Sequence, residues 1–269
     1  MYEEYFGLHE LPFNITPDPR FLFLSHAHRE AYNHLFFGIT ERKGFILLTG
    51  EVGTGKTTLC RAILNDLDPR FKTAVVLNPW LTGSQLLRAI LKELGLRAPR
   101  DRMGCLEILN EFLLGQVYAG NEVVVIIDEA QDLSLELLEQ VRLLSNLETD
   151  QRKLLQIVLV GQPELRKKLD SPRLRQLCQR IVVRYHLVPL SADETARYIE
   201  HRVRLAGGNS RPAFSPASVR RIYRYSHGVP RLINAVCDKL LLTGFASGND
   251  RFAAADVRRA VRELQGVAS

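Results

Sequence analysis

Residues 50–57 read Gly-Glu-Val-Gly-Thr-Gly-Lys-Thr, the spacing G-x-x-x-x-G-K-[ST]. Glycines at that spacing let backbone N–H groups turn inward around an anion, at the positive end of a following helix. A lysine beside them can reach the outer phosphates of a nucleoside triphosphate, and the next hydroxyl can ligate Mg²⁺. The expected phosphate loop is therefore Gly50, Glu51, Val52, Gly53, Thr54, Gly55, Lys56, Thr57 and Thr58, with Thr57 also meeting the metal.

Asp128 and Glu129 follow the apolar run 122–127. Two carboxylates at a strand end, downstream of a phosphate loop, form the second half of a hydrolytic site. Asp128 would hold Mg²⁺, through water, next to Thr57. Glu129 would act as general base toward the attacking water. Gln162 ends another apolar run and is assigned the orientation of that water, a sensing role. Arg180 is the candidate finger reaching a neighbouring subunit's γ-phosphate, with Arg175 and Arg184 as competitors for the role. Arg231, in Gly228-Val229-Pro230-Arg231, would contact the phosphates within its own subunit. The sequence contains no Asn-Lys-x-Asp guanine-reading element, so ATP is the expected nucleotide.

The elements that must position these groups are legible from periodicity. Near-continuous Val, Ile and Leu runs at 45–49, 73–77, 122–127, 155–160 and 181–187 read as strands covered on both faces. The second ends in the turn Asn78-Pro79. Helical spacing at 58–67, 83–94, 104–119 and 135–147 falls between them, which predicts a parallel sheet layered by helices. After Val188-Pro189-Leu190 the chain turns wholly helical. Ser191 and Glu194 form a capping box for a helix to about Ala206, and Ser215 with Pro216 opens another that stops before Gly228. Two more helices follow, at 231–244 and 254–264, and the loop 207–210 lies inside this bundle. The expected fold is α/β: a P-loop NTPase domain of parallel αβα layers at 44–188, then a small all-α lid at 189–269. Residues 1–43 form an aromatic arm and helix packing on the ATPase core.

The chain has 269 residues and a net charge of +6. From Pro189 onward 13 Lys and Arg face seven Asp and Glu, whereas the first 188 residues are balanced. A basic lid leaves nucleic acid or an acidic membrane surface open as an anionic partner; solvated helix faces are the alternative. The four cysteines, Cys60, Cys105, Cys178 and Cys237, lie far apart without metal-ligand spacing, as expected of free thiols in the cytoplasm. No stretch approaches the roughly 18 apolar residues of a membrane span, and the first residues lack signal-peptide character.

Several further motifs accompany these. They are Tyr5-Phe6-Gly7-Leu8, Pro12-Phe13, Thr16-Pro17-Asp18-Pro19, Leu22-Phe23-Leu24-Ser25, Asp128-Glu129-Ala130-Gln131 and Leu144-Ser145-Asn146-Leu147-Glu148-Thr149. Gly161-Gln162-Pro163-Glu164-Leu165 and Gly228-Val229-Pro230-Arg231 complete the set. Together with the phosphate loop they resemble, over essentially the whole chain, the AAA+ ATPases of the ExeA/GspA type, including the MshM branch. The resemblance implies an ATPase serving assembly of a bacterial envelope machine, a type II secretion system or a type IV pilus. It also implies a nucleotide-dependent homo-oligomer, ring or filament, in the cytoplasm or peripheral at the inner membrane. By the same resemblance the arm around Pro12 to Ser25 would pack near the adenine, although Phe13, Phe21 and Phe23 could equally cap the core. Longer members continue into a membrane span and a peptidoglycan-binding domain. Whether this chain is a short, MshM-like member or the cytoplasmic part of a longer protein, peptidoglycan binding is not carried over. The branch is also similar to the TnsC/TniB transposition regulators, so a DNA-dependent ATPase is one alternative. A non-catalytic, nucleotide-switched scaffold is another.

Overall fold

A computed structural model describes residues 1–77, 82–148, 153–208 and 211–266. The expected turn Asn78-Pro79, Thr149 of the 144–149 motif, and Asn209-Ser210 of the expected loop lie outside the described residues. Five strands, β1 (Phe45–Gly50), β2 (Phe71–Val76), β3 (Glu122–Ile127), β4 (Gln156–Gly161) and β5 (Ile181–Leu187), form one sheet. Two further strands, β6 (Ala213–Phe214) and β7 (Arg251–Phe252), pair with each other. In chain order the helices begin with α1 (Tyr2–Phe6), α2 (His26–Thr40), α3 (Lys56–Asp66), α4 (Gly83–Glu93), α5 (Arg102–Tyr118) and α6 (Leu135–Leu144). They continue with α7 (Pro163–Leu169), α8 (Arg175–Arg180), α9 (Ala192–Leu205), α10 (Pro216–Ser226), α11 (Pro230–Ser247) and α12 (Ala254–Leu264).

The chain divides into two compact units. The first comprises residues 29–50 and 59–187 and holds the sheet, ordered β2-β3-β4-β1-β5 with every pairing parallel. Strands β1 and β4 are buried along their whole length and β3 along nearly all of it, as runs of Val, Ile and Leu covered on both faces must be. Phe45, Val125, Ile127, Ile157 and Leu159 pack with Leu86 and Ile90 of α4, Leu109 of α5 and Leu138 of α6. The register sets Thr49 beside Gly161 and Ile127 beside Leu159. Strands β1, β3 and β4 therefore end together, and the segments after them leave from one edge of the sheet. Ligands of open α/β sheets bind at that carboxyl edge.

The strands predicted at 122–127 and 181–187 have those bounds, while β2 starts and ends earlier than the predicted 73–77 and β4 is shifted by one residue. Helices α7 and α8 have seven and six residues, too short for an apolar period to show in sequence.

The second unit comprises residues 1–28, residues 51–58 and the described residues from Val188 onward. Ser191 and Glu194 make both bonds of the predicted capping box of α9. Ser215 caps α10 through Ser218 N–H, with Pro216 at the first position. That helix ends with His227 and Gly228 both at positive φ. Helix α11 runs beyond the predicted 244 to Ser247, where Gly248 in the left-handed region stops it.

Residues 1–43 were expected as one segment on the ATPase core. The division instead falls after His28, and Tyr2, Phe6, Phe13 and Phe21 are buried among Tyr198 and Ile199 of α9, Leu240 of α11 and Phe252 of β7. Aromatics need an apolar face, and α9 and α11 supply one. Polar latches add direction: Arg202, itself buried, donates to the carbonyls of Pro12 and Asn14 (3.0 Å for the latter) and lies 4.4 Å over the Phe21 ring. His9 N–H donates to Ala206 O at 2.7 Å, and the Tyr2 hydroxyl donates to Asp238.

Two glycines in this unit make a paired test. A Cβ at Gly228 would fall 1.8 Å from the Leu190 carbonyl oxygen, whereas one at Gly248, also at positive φ, meets nothing within 4 Å. Gly248→Ala should cost about 1 kcal/mol of conformational strain, and Gly228→Ala more than about 2 kcal/mol, because backbone must move as well. Thermal melts of the two variants beside wild type read the difference; equal shifts would contradict the packing of Gly228 on Leu190.

Candidate nucleotide site

Residues 51–58 of the phosphate loop lie in the second unit, following the end of β1 and running into the first turn of α3. Gly53 and Gly55 sit at φ 79° and 99°, in the region side-chain-bearing residues avoid. Three of the loop's carbonyls are taken by donors from the same unit. Glu51 O accepts from the Thr54 hydroxyl at 2.8 Å and from Lys56 Nζ at 3.0 Å. Gly53 O accepts from Arg231 N–H at 3.2 Å, and Thr54 O is 2.9 Å from His28 Nε2. Holding carbonyls by protein donors is how a loop is made to present N–H groups to an anion, and Lys56 and Thr57 open a helix whose dipole adds to that field. Arg231 packs so closely that a Cβ on Gly53 would come within 2.6 Å of Arg231 Cβ. The structure thus brings the Arg231 backbone and Cβ to the loop. His28 was missed: its only sequence signal is Ser25 three residues earlier.

The carboxylates lie in the first unit. Asp128 follows β3, is buried, and fixes its backbone by donating N–H to Val76 O at 2.9 Å. Its carboxylate accepts Glu129 N–H at 2.9 Å. Glu129 has φ 51°, a left-handed conformation that a long side chain adopts only when its surroundings impose it. The surroundings are two glutamines. Gln131 Nε2 donates to Glu129 Oε2 at 2.8 Å and Gln162 Nε2 donates to the same oxygen at 3.2 Å. The Gln162 backbone N–H in turn donates to Gln131 Oε1 at 3.0 Å, closing a ring of three residues. Gly161 leaves room for it, since a Cβ there would fall 2.9 Å from Gln131 Oε1. Lys168 Nζ pins the turn after Glu129 through the carbonyls of Gln131 and Leu133 (2.8 Å for the latter). Gln131 belongs to the quoted Asp-Glu-Ala-Gln motif, but nothing in the sequence assigns it this contact.

The finger candidates lie in the first unit as well. Arg180 ends α8, half-buried, with Nη1 donating to the Ser145 hydroxyl. Arg184, on β5, donates to the Cys178 carbonyl and reaches the Cys178 sulfur at 3.1 Å. Arg175 is exposed at the start of α8. Arg184 also borders, with Arg166, Tyr185 and His186, an open cavity of about 200 Å³. The cysteines are free, three buried and Cys178 half-buried. Among the described residues no three His, Cys, Asp or Glu side chains gather to cage an ion by themselves. The hydroxyl of Thr57, in the second unit, and the buried carboxylate of Asp128, in the first, are each a hard oxygen donor of the kind Mg²⁺ takes beside water and phosphate.

The description of the AAA domain family fits residues 39–169. General secretion pathway protein A of Aeromonas hydrophila is 46% identical over 271 aligned positions, covering 99% of this chain and 49% of that protein. The chain thus spans about half the length of this curated relative. Among determined structures, the ORC2 protein of Aeropyrum pernix matches with a TM-score of 0.72 at 20% identity, over 94% of this chain and 71% of that one. The ORC1 protein of the same organism, in complex with DNA, matches at 0.70 and 18%, over 94% and 69%. RuvB of Thermotoga maritima matches at 0.63 and 18%, over 93% and 73%. At such identities these structures establish the fold alone. The chain thus has the parallel-sheet α/β fold of a P-loop NTPase, carries an AAA domain match at residues 39–169, and is similar to General secretion pathway protein A along nearly all of its own length.

Proposed function

We propose that this chain binds ATP with Mg²⁺ and hydrolyses it, and that the cycle drives or regulates assembly of a bacterial envelope machine. The observation that carries the hydrolytic reading is Glu129, a carboxylate held in a strained backbone conformation by Gln131 and Gln162 at the carboxyl edge of the sheet. Gly50, Glu51, Val52, Gly53, Thr54, Gly55, Thr57 and Thr58 would form the phosphate cradle, with Lys56 and Arg231 supplying positive charge. Thr57 and Asp128 would hold Mg²⁺, which when bound neutralises charge on the phosphates. Glu129 takes the proton of the attacking water, and Gln162 relays the state of that site through its bond to the Glu129 carboxylate. Arg180 completes a neighbour's site, so activity requires assembly of the chain into a ring or filament. The secretion role rests on the likeness to general secretion pathway protein A, and a pilus system is a further candidate. Among the described residues no helix is long and apolar enough to cross a membrane. The proposal places the ATPase in the cytoplasm or peripherally at the inner membrane.

One observation favours a second reading, a nucleic-acid-dependent ATPase. Arg220 and Arg224 are exposed four residues apart on α10, and Arg258 and Arg262 four apart on α12, two helices that pack together. Arginine stripes of this kind contact phosphate backbones. Duplex DNA would then raise turnover and bind with affinity falling steeply as salt rises. Equal turnover with and without DNA returns the stripe to ordinary solvated surface. A switched scaffold without catalysis is the least supported reading, given the ordered Glu129.

Two variants test the hydrolytic site and its assembly. Glu129→Gln should lower kcat by about 10²-fold or more while ATP binds within about threefold of wild type, as loss of a general base requires. Phosphate release beside a binding titration reads both, and undiminished turnover removes Glu129 from the role. Specific activity should rise with protein concentration in wild type and stay low and flat in Arg180→Ala. A wild-type rate independent of concentration contradicts catalysis across subunits.

A further inference from the structure

His28 stands outside the residues that the hydrolytic reading uses, yet it is buried and fully engaged. Ser25 Oγ accepts the His28 backbone N–H at 3.2 Å, capping the start of α2, and lies 2.7 Å from His28 Nδ1. The ring's other nitrogen faces the Thr54 carbonyl at 2.9 Å. A carbonyl only accepts, so Nε2 carries the hydrogen, and Nδ1 is left to accept from the Ser25 hydroxyl. The imidazole is neutral in this arrangement: burial pushes its pKa below the usual value, against the opposing pulls of the hydrogen bond to Thr54 O and of the Glu194 carboxylate. Glu194 itself belongs to the cap of α9 and accepts His26 N–H at 3.0 Å. A chain of contacts therefore runs within one compact unit, from α9 through the N-terminal arm to the phosphate loop.

Thr54 is wholly buried between the glycines at positive φ, and a Cβ on Gly55 would stand 3.3 Å from His28 Nε2. A peptide unit held by its carbonyl also has its opposite side fixed, which here is the N–H of Gly55. From this geometry we propose that His28 is a positioning residue: it turns the Thr54 carbonyl away from the phosphates and so holds the loop's N–H groups toward them. The inference rests on the nucleotide-binding reading of the loop. It adds that the N-terminal arm, through one imidazole, sets the loop's readiness to bind.

The test compares His28→Gln, whose amide N–H reaches about as far as Nε2, with His28→Asn, whose amide can meet Ser25 but falls short of Thr54. Amide hydrogen exchange over residues 51–58 is followed in nucleotide-free protein, and ATP affinity is measured beside it. His28→Asn should speed exchange in the loop about tenfold or more and weaken ATP binding about tenfold, with His28→Gln within about threefold of wild type in both. Loop exchange in His28→Asn equal to wild type, or equal loss in both variants, overturns the positioning role. If wild type binds no nucleotide while exchange still separates the two variants, His28's hold on the loop stands and the nucleotide reading falls. The pH dependence gives an independent sign. A folded pKa below the unfolded value of about 6.5 means the native state resists a proton that the unfolded chain accepts. His28's contribution is then complete above about pH 6.5 and declines below it. His28→Gln should flatten that decline, and an unchanged slope counts against a buried neutral imidazole.

Discussion

A loop can hold an anion with its backbone only if its carbonyls are turned away and kept there. In this protein the carbonyls of Glu51, Gly53 and Thr54 are each held by a donor of the surrounding unit: Lys56 with Thr54, the Arg231 backbone and His28. Glycine at positions 53 and 55 permits the positive φ angles this requires. Much of the chain can be understood as supplying those donors. The arm carries His28, and buried aromatics and the Arg202 latch fix the arm to α9 and α11. The turn at Gly228, closed against Leu190, delivers Arg231.

The sheet solves a different problem with the same means. Parallel strands covered on both faces leave few polar side chains except at their ends, so the chemistry gathers at one edge. There Asp128 and Glu129 follow β3 while Gln162 follows β4, the neighbouring strand. The register of those strands allows Gln162 to meet Glu129 and Gln131 at hydrogen-bond distance. Strain at Glu129 is offset by the two amides that donate to its carboxylate and by the pinned turn beyond it.

The sequence made some of this legible and hid the rest for physical reasons. Runs such as Val123-Val124-Val125-Ile126-Ile127 announce a buried strand because every residue must be apolar, and the loop's glycines and lysine are spaced by the phosphates themselves. Caps at Ser191 and Ser215 are local and could be read directly. What local pattern cannot reveal is a bond between a side chain and a distant backbone carbonyl. His28 meets Thr54 across 26 residues, and no residue type at position 54 advertises a carbonyl. Gln131 and Gln162 pair across 31 residues, so Gln131 could be seen as part of a motif without its contact being seen. The arm illustrates a third limit. Its aromatics declare that they will be buried, but not whether against the sheet or against the C-terminal helices, since both offer apolar faces.

The central claim is that the phosphate loop binds a nucleoside triphosphate through its backbone and Lys56. Isothermal titration of Mg²⁺-ATP into wild type and Lys56→Ala tests it most directly. The account predicts one site per chain in wild type, and binding abolished or weakened at least about a hundredfold in the variant. Absence of binding in wild type, or equal affinity in both, would contradict it.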